Sequence, residues 1–332
     1  MTLLARDEAD IVDTHLAYHL DAGVDFVIAT DHRSQDGTSD ILRSYERAGM
    51  LHRIYEGGEF TQQGAWQTRM ARLAATEYGA DWVINSDADE FWWPRGRSLK
   101  VALDSVPAGY ETAPALVRNF LPRRDEAGAV TERMTLRLAA PAPINDPATP
   151  FRPVVKIAHR GRPEVVVGEG GSHRVSGLPG PAFRAWYPLE VLHLPLRSAE
   201  QCARKYRKTW SGWAENLRGD LARARQAADE GPQNPIWDRV ALDGSDIERG
   251  LESGSLVSDV RLRDVVRTLR GAEAAPSLGS ALPSRAELDS HALDVTVFEE
   301  AELIRYQRWV DELEARVCRL GHTARARRPV PL

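Results

Sequence analysis

The side chains best suited to chemistry lie in one short run, Asp87-Ala88-Asp89-Glu90, two residues after the apolar Trp82-Val83-Ile84. Two carboxylates two residues apart at the end of a buried strand can share a hard divalent cation, directly or through water. Mg2+ and Mn2+ favour such oxygen ligands and keep positions for water and substrate phosphates. A bare Asp-x-Asp is equally a solvated turn, so its surroundings decide its meaning. His193, at the end of a strand-like run, and His173, after Gly170-Gly171-Ser172, are candidates to complete a metal shell or to bond an anion. His15 and His19 have the i, i+4 spacing used for zinc. No third ligand or Glu follows them in a metalloprotease pattern, so a structural role is expected.

The acidic run must be positioned by the elements before it. Residues 2–5 form a candidate buried strand, and residues 7–20 carry Ile11, Val12, Leu16 and Leu20 on one helical face. Residues 25–30, 51–55 and 81–85 are further strand candidates, with helices expected over 39–48 and 63–78. This alternation implies a mostly parallel sheet with right-handed crossovers. Such sheets bind ligands beyond the carboxyl ends of their strands, where the polar segments 31–38 and 86–90 fall. From 110 to 200 the pattern changes to strand-like pieces at 112–120, 133–138, 153–158, 164–167 and 189–194, separated by Pro- and Gly-rich turns. That half is expected to shape a pocket. Residues 198–230 are helical in character, 231–256 and 271–287 are linker-like, and 298–320 form an amphipathic helix.

Composition narrows the class. The 332 residues carry 43 basic and 48 acidic side chains, net −5, which excludes a general affinity for nucleic acid. Only four of the basic residues are lysine, and 39 are arginine. Codon usage explains most of that bias, yet arginine forks also grip phosphate better than lysine does. No apolar run approaches the length of a membrane span, and two cysteines are too few for a disulfide scaffold. The expectation is a cytoplasmic protein, with peripheral membrane association and homo-oligomerisation through the C-terminal helices left open.

The segment Trp82-Val83-Ile84-Asn85-Ser86-Asp87-Ala88-Asp89-Glu90-Phe91 resembles nucleotide-sugar-dependent glycosyltransferases of the GT-A fold, in particular the family 2-like branch with its Asp-x-Asp-Glu-Phe pattern. Ala5-Arg6-Asp7-Glu8 stands where that branch commonly has Lys-Asn-Glu, so Asp7 departs from the usual Asn. Tyr18-His19-Leu20 with Gly23-Val24-Asp25 is also similar to the branch, as is Asp31-His32-Arg33-Ser34-Gln35-Asp36-Gly37-Thr38. A further similar block is Leu192-His193-Leu194-Pro195-Leu196-Arg197-Ser198 with Glu200, Gln201 and Lys205. The resemblance covers residues 1–210. It implies an α/β GT-A fold, Rossmann-like in its nucleotide-sugar-binding half, with a mixed sheet flanked by helices and a helical C-terminal appendage. The expected division is a catalytic domain over 1–197, split near 110 into donor and acceptor halves, and a mainly helical region over 198–332.

The same resemblance implies the roles. Asp31 is expected at the nucleotide base, with uracil favoured, although a helix-capping turn residue is the plain alternative. Asp87 is expected near the ribose or the metal, and Asp89 on a Mn2+ or Mg2+ ion bridging two phosphates, with His193 completing the shell. Arg6, Asp7, Arg69, Arg197 and Lys205 join Asp31 and Asp87 as candidates to hold the nucleotide sugar. Trp92, Trp93, Trp186 and Tyr187 are candidates to stack on an acceptor or to pack the core. An inverting transfer needs a base for the acceptor hydroxyl. Asp146, Glu164, Glu169 and Glu190 are candidates, with Glu169 and then Asp146 preferred. The expected reaction is metal-dependent transfer from a nucleoside diphosphate sugar, UDP-sugar foremost, to a saccharide, lipid-linked or small-molecule hydroxyl. A sugar nucleotidyltransferase and a non-catalytic carbohydrate-binding protein are the alternatives.

Overall fold

A computed structural model describes residues 1–271 of the chain, apart from 60, 97, 126, 140–153, 185–186 and 206–234. The expected base Asp146, the stacking candidate Trp186 and the helix over 298–320 lie outside the described residues.

The apolar runs at the start become strands β1 (Thr2–Ala5), β2 (Val27–Asp31) and β3 (Leu51–Tyr55). Helices α1 (Val12–Asp21) and α2 (Thr38–Arg47) connect them, and all three strands run parallel, as crossover connections require. α3 (Gln63–Thr76) follows. The next apolar run, read from the sequence as one strand, is two. β4 (Trp82–Val83) and β5 (Asn85–Asp87) flank Ile84 and enter different sheets. β5 lies parallel to β1 and completes a four-stranded sheet ordered β3-β2-β1-β5.

The second half builds a mixed sheet ordered β4-β9-β7-β12-β6. Its members are β6 (Glu90–Pro94), β7 (Thr112–Asn119), β9 (Val155–Arg160) and β12 (Leu189–His193), with β4 at one edge. Only β7 and β12 pair in parallel; the other pairings are antiparallel. Between these strands lie α4 (Leu99–Asp104), α5 (Val130–Arg133), β8 (Leu136–Leu138) and the short hairpin of β10 (Val166–Val167) and β11 (Val175–Ser176). This is the mixed α/β architecture with a parallel sheet and flanking helices expected from the pattern.

Phe91, Trp92, Leu189, Val191 and Leu192 from the mixed sheet pack with Val12, Leu16, Leu3 and Ala29 in one core. Fully burying one such large apolar side chain is worth roughly 1.5–3 kcal/mol. Trp92 is wholly inside this core, so it packs the fold and offers no sugar platform. Trp93 stacks on Tyr18 at 6.1 Å between ring centroids and lies under the Arg261 guanidinium at 5.1 Å.

The chain beyond 197 does not stand apart from this body. After α6 (Pro235–Val240) and α7 (Gly244–Glu252) come β13 (Leu256–Ser258), which pairs with β8, and α8 (Arg261–Leu269). Leu262 and Val266 of α8 join the main core. Residues 235–271 therefore belong to the same packed unit as residues 1–197, and the expected helical appendage is, over these residues, a closing layer of the fold. Among the described residues no helix is long and apolar enough to cross a membrane.

Candidate active site

Ala88 and Asp89 form the turn from β5 to β6, so the acidic run links the parallel sheet to the mixed one. It is tied down from several sides. Leu194 N donates to Asp89 O at 2.9 Å, Ser86 Oγ donates to Glu90 O at 3.1 Å, and Asp87 N donates to the Glu90 carboxylate at 3.3 Å. Behind it, His15 Nε2 bonds Ser86 Oγ at 3.1 Å, and His19 accepts from Trp92 N at 3.1 Å while donating to His15 O. Burial lowers the His15 imidazole to about 3 and His19 well below its usual value. Both are neutral supports of the turn, as the missing third ligand implied.

The turn opens into a cleft of about 380 Å³. Asp89 is 5% exposed. Its Oδ2 accepts from Lys205 Nζ at 2.8 Å and lies 3.7 Å from Arg197 Nη1. Its Oδ1 faces His193 Nε2 at 3.6 Å. Burial alone would raise the Asp89 carboxyl, but Lys205, His193 and Arg197 outweigh it and hold the group well below the usual carboxylate range. His193 is oriented by Asn119, whose Oδ1 accepts from Nδ1 at 2.7 Å. With a protonated ring the two form an ion pair, and with a neutral ring bearing its proton on Nδ1 they offer two donors to a shared cation.

Asp87, 30% exposed, is turned elsewhere. It accepts from Gln63 Nε2 at 3.2 Å and meets Lys156 Nζ at 3.5 Å. Lys156 forms its closer pair with Glu90 at 2.8 Å, both side chains being 3% exposed. Burial pushes the Glu90 carboxyl up, with Lys156 opposing, while Glu90 and Asp87 overcome the effect of burial on Lys156 and raise its ammonium. Among the described residues no group of three or more His, Cys, Asp and Glu side chains is arranged to hold an ion. The two donors that approach each other are Asp89 and His193, the latter held by Asn119.

The other sequence candidates divide. Arg6 lines the cleft beside His32, its Nη1 3.4 Å from His32 Nδ1. Asp7 also lines it, at a left-handed φ of 56°, a conformation Asp and Asn tolerate best after Gly. Its Oδ1 accepts from Gln35 N at 2.7 Å. The departure from Asn thus keeps the backbone geometry. Lys205 reaches the cleft from a helical stretch over 199–205. Arg197 is fully buried behind Asp89. It forks onto Asp10 at 2.7 and 3.0 Å and binds Glu8, so it braces the site without reaching the cleft. Arg69 lies outside it, 48% exposed and paired with Glu56 at 2.5 Å.

Asp31 is wholly buried. Its carboxylate accepts from Ser34 N at 3.2 Å and Ser39 Oγ at 2.5 Å, with Arg53 at 3.4 Å. It shapes the loop leading into α2 and does not line the cleft; its neighbour His32 does, packed edge-on against Trp66 at 4.7 Å. Glu169 is turned onto the start of α3, where Gly64 N donates to it at 3.4 Å. A Cβ at Gly64 would stand 2.9 Å from Glu169 Oε1, so glycine is what allows this approach. Glu190 is held by Arg118 at 2.6 Å, Arg261 at 2.9 Å and Arg95 at 3.4 Å. Glu164 is exposed beside β10. None of these three carboxylates lines the cleft.

Sequence reasoning did not single out Glu8, His32, Gln63, Lys156, Gln201 and Arg204, all of which line the cleft. Lys156 had one available signal, as one of four lysines in an arginine-rich chain and, among the described residues, the one inside a strand.

Comparison with known proteins adds the following. No curated protein matches the chain. A mycobacterial protein of solved structure is similar at 23% identity over 40% of this chain and 42% of its own length, with a TM-score of 0.24. The chain therefore spans under half of that protein. The structure of S. aureus TarS 1-349 in complex with UDP is similar at 13% identity over 69% of each chain, with a TM-score of 0.31. Overlays this loose carry no argument about the site. The family model that matches is Glycosyltransferase family 92, over residues 4–113, where the sequence pattern pointed to a family 2-like branch. The matched segment runs from within β1 past β6 and includes the acidic turn, and over that part the chain is similar to glycosyltransferases.

Proposed function

We propose that the chain transfers a sugar from a nucleoside diphosphate sugar to a hydroxyl acceptor, with inversion and with the help of Mn2+ or Mg2+. The observation carrying this reading is the facing pair of Asp89 Oδ1 and His193 Nε2, 3.6 Å apart, in a cleft that also collects Arg6, Arg204 and Lys205. The pair would supply one carboxylate and one imidazole donor, and the surrounding cations suit a diphosphate.

In this reading Asp89 and His193 hold the ion, which when bound acts as a Lewis acid on the departing diphosphate. Lys205, already on Asp89, and Arg6 and Arg204 meet the phosphate oxygens, so charge developing on the leaving group finds fixed donors. Asp87, steadied by Gln63 and Lys156, is placed to accept from a ribose hydroxyl. His32, buried against Trp66, shapes the cleft wall beside Arg6. UDP-sugar is the donor to try first, and saccharides, lipid-linked sugars and small hydroxyl compounds are the acceptor classes.

The test is incubation with a panel of nucleotide sugars and Mn2+ or Mg2+, following nucleoside diphosphate release, with Asp89→Ala alongside. Metal-dependent release that Asp89→Ala abolishes is the expected result. Pyrophosphate release instead would point to a nucleotidyltransferase. Full activity in Asp89→Ala, or in chelator, would refute the assignment of the ion.

A further inference from the structure

We propose that His173 is the general base of the transfer, its Nε2 taking the proton of the acceptor hydroxyl. This rests on the donor-and-acceptor reading of the cleft given above. As the acceptor oxygen attacks, the new bond to the anomeric carbon forms and the bond from that carbon to the phosphate oxygen breaks. The electron pair leaves with the nucleoside diphosphate, the hydroxyl proton passes to Nε2, and the imidazolium returns it to solvent.

The position of His173 is built. Its loop leaves β10 through Gly170 and Gly171, at φ 84° and 94°. A Cβ at Gly171 would lie 3.2 Å from both Gln63 Nε2 and Lys156 Nζ, so the loop is seated against the acidic run's own partners. Ser172 Oγ donates to Asn85 O at 3.0 Å and Ser172 O accepts from Ile157 N at 2.9 Å. His173 Nδ1 donates to Val155 O at 2.8 Å. That bond fixes the tautomer and leaves Nε2 as an acceptor on a residue that lines the cleft.

The charge state agrees. His173 is exposed on the cleft side; partial desolvation and Lys156 on β9 lower its imidazole, against the opposing pull of Val155 O and Asp87, which favours the unprotonated ring at neutral pH. Being neutral, it adds no negative charge beside a diphosphate. The carboxylates of the cleft are engaged in ways that Nε2 is not. Glu90 holds Lys156, Asp89 holds Lys205, Glu8 holds Arg197, Asp87 accepts from Gln63 and meets Lys156, and Asp7 accepts from Gln35 N. Glu169, four residues earlier on the same loop, faces α3.

The test compares wild type with His173→Gln and His173→Glu, using the donor that wild type turns over and calorimetric binding of the matching nucleoside diphosphate. His173→Gln should lower kcat by roughly 10²–10⁴-fold, the usual contribution of a positioned base. Nucleoside diphosphate affinity should stay within about twofold, since the base makes no donor contact. His173→Glu, which restores a base, should recover part of the rate. Equal rates for His173→Gln and His173→Glu, an unchanged kcat in His173→Gln, or weakened diphosphate binding at unchanged kcat would each overturn the assignment. Wild type that releases nucleoside diphosphate from no donor would instead overturn the underlying reading, and the base role with it.

Discussion

Replacing Arg197 with Met removes the cation that joins Glu8, Asp10 and Asp89. The guanidinium is 0% exposed, whereas Glu8 is 18% and Asp89 5% exposed. Breaking a buried ion pair from one side costs roughly 3–5 kcal/mol, because the carboxylates left behind lose their partner. Asp10, at 35% exposure, is rehydrated and adds little. Lys205 still holds Asp89 at 2.8 Å, so the loss falls mainly on Glu8. Burial already raises the Glu8 carboxyl from 4.5 to about 7, with Arg197 pulling the other way. Without Arg197 the folded-state value moves higher still. A carboxyl raised on folding contributes stability that is fully present below its unfolded value and is lost as pH rises through its folded value. For wild type that window runs from 4.5 to about 7, and for Arg197→Met it extends above 7. Urea unfolding should therefore show a deficit of about 3–5 kcal/mol near pH 8, at an unchanged denaturant slope, that shrinks towards pH 5. A deficit under about 1 kcal/mol, or one that ignores pH, would refute the claim that Glu8 depends on this guanidinium.

Two further perturbations follow from particular contacts. Asp259 is 4% exposed and bound by Arg137 and Arg261, each at 2.8 Å; burial opposes ionisation, but the two guanidiniums lower the carboxyl from 3.8 to about 2. Its stabilisation is present above the unfolded value and is lost as pH falls through the folded one, so Asp259→Asn should cost about 2 kcal/mol at neutral pH. The gap from wild type in urea unfolding should close near pH 2, and a gap that persists there would contradict the ion-pair account. Gly64→Ala puts a Cβ 2.9 Å from Glu169 Oε1 and 3.1 Å from its backbone N, which displaces the loop bearing His173. Overpacking of this kind costs roughly 1–3 kcal/mol, and sugar transfer should slow in a protein that still folds; an undiminished rate would show that α3 does not set the loop.

The first half of the fold was legible because its strands are short apolar runs and its helices end at glycine. Residues 51–55 and the start of α3 at Gln63 appear where the pattern puts them. The helix expected from Asp7 begins at Val12, since Asp7 takes a left-handed conformation. The split of 81–85 was not legible, because an apolar run carries no sign of which sheet it will join. The acidic turn was visible from residue type and spacing, and the Asp89–His193 pair from the blocks around each. What could not be read was the pairing of charges. Arg197 looked like a phosphate ligand, yet its partners Glu8 and Asp10 lie 189 and 187 residues away in sequence. Asp31 looked free for a base until Ser34, Ser39 and Arg53 closed around it. Local pattern gives a side chain's type and rough place, whereas its partner is decided by packing.

The acidic turn is the short hinge piece between the parallel sheet and the mixed one, while His193 and Asn119 belong wholly to the mixed sheet. The gap between Asp89 and His193 is thereby a gauge of how the two sheets sit on each other. Phe91 and Leu192, directly opposite across β6 and β12, lie in the core behind that pair. Cores this dense pass a change of one methylene on to their neighbours. Substitutions well inside the core, touching no ligand, would retune the gap between Asp89 and His193 that the proposed ion would occupy, so the chemistry of the cleft is calibrated from behind as much as from within.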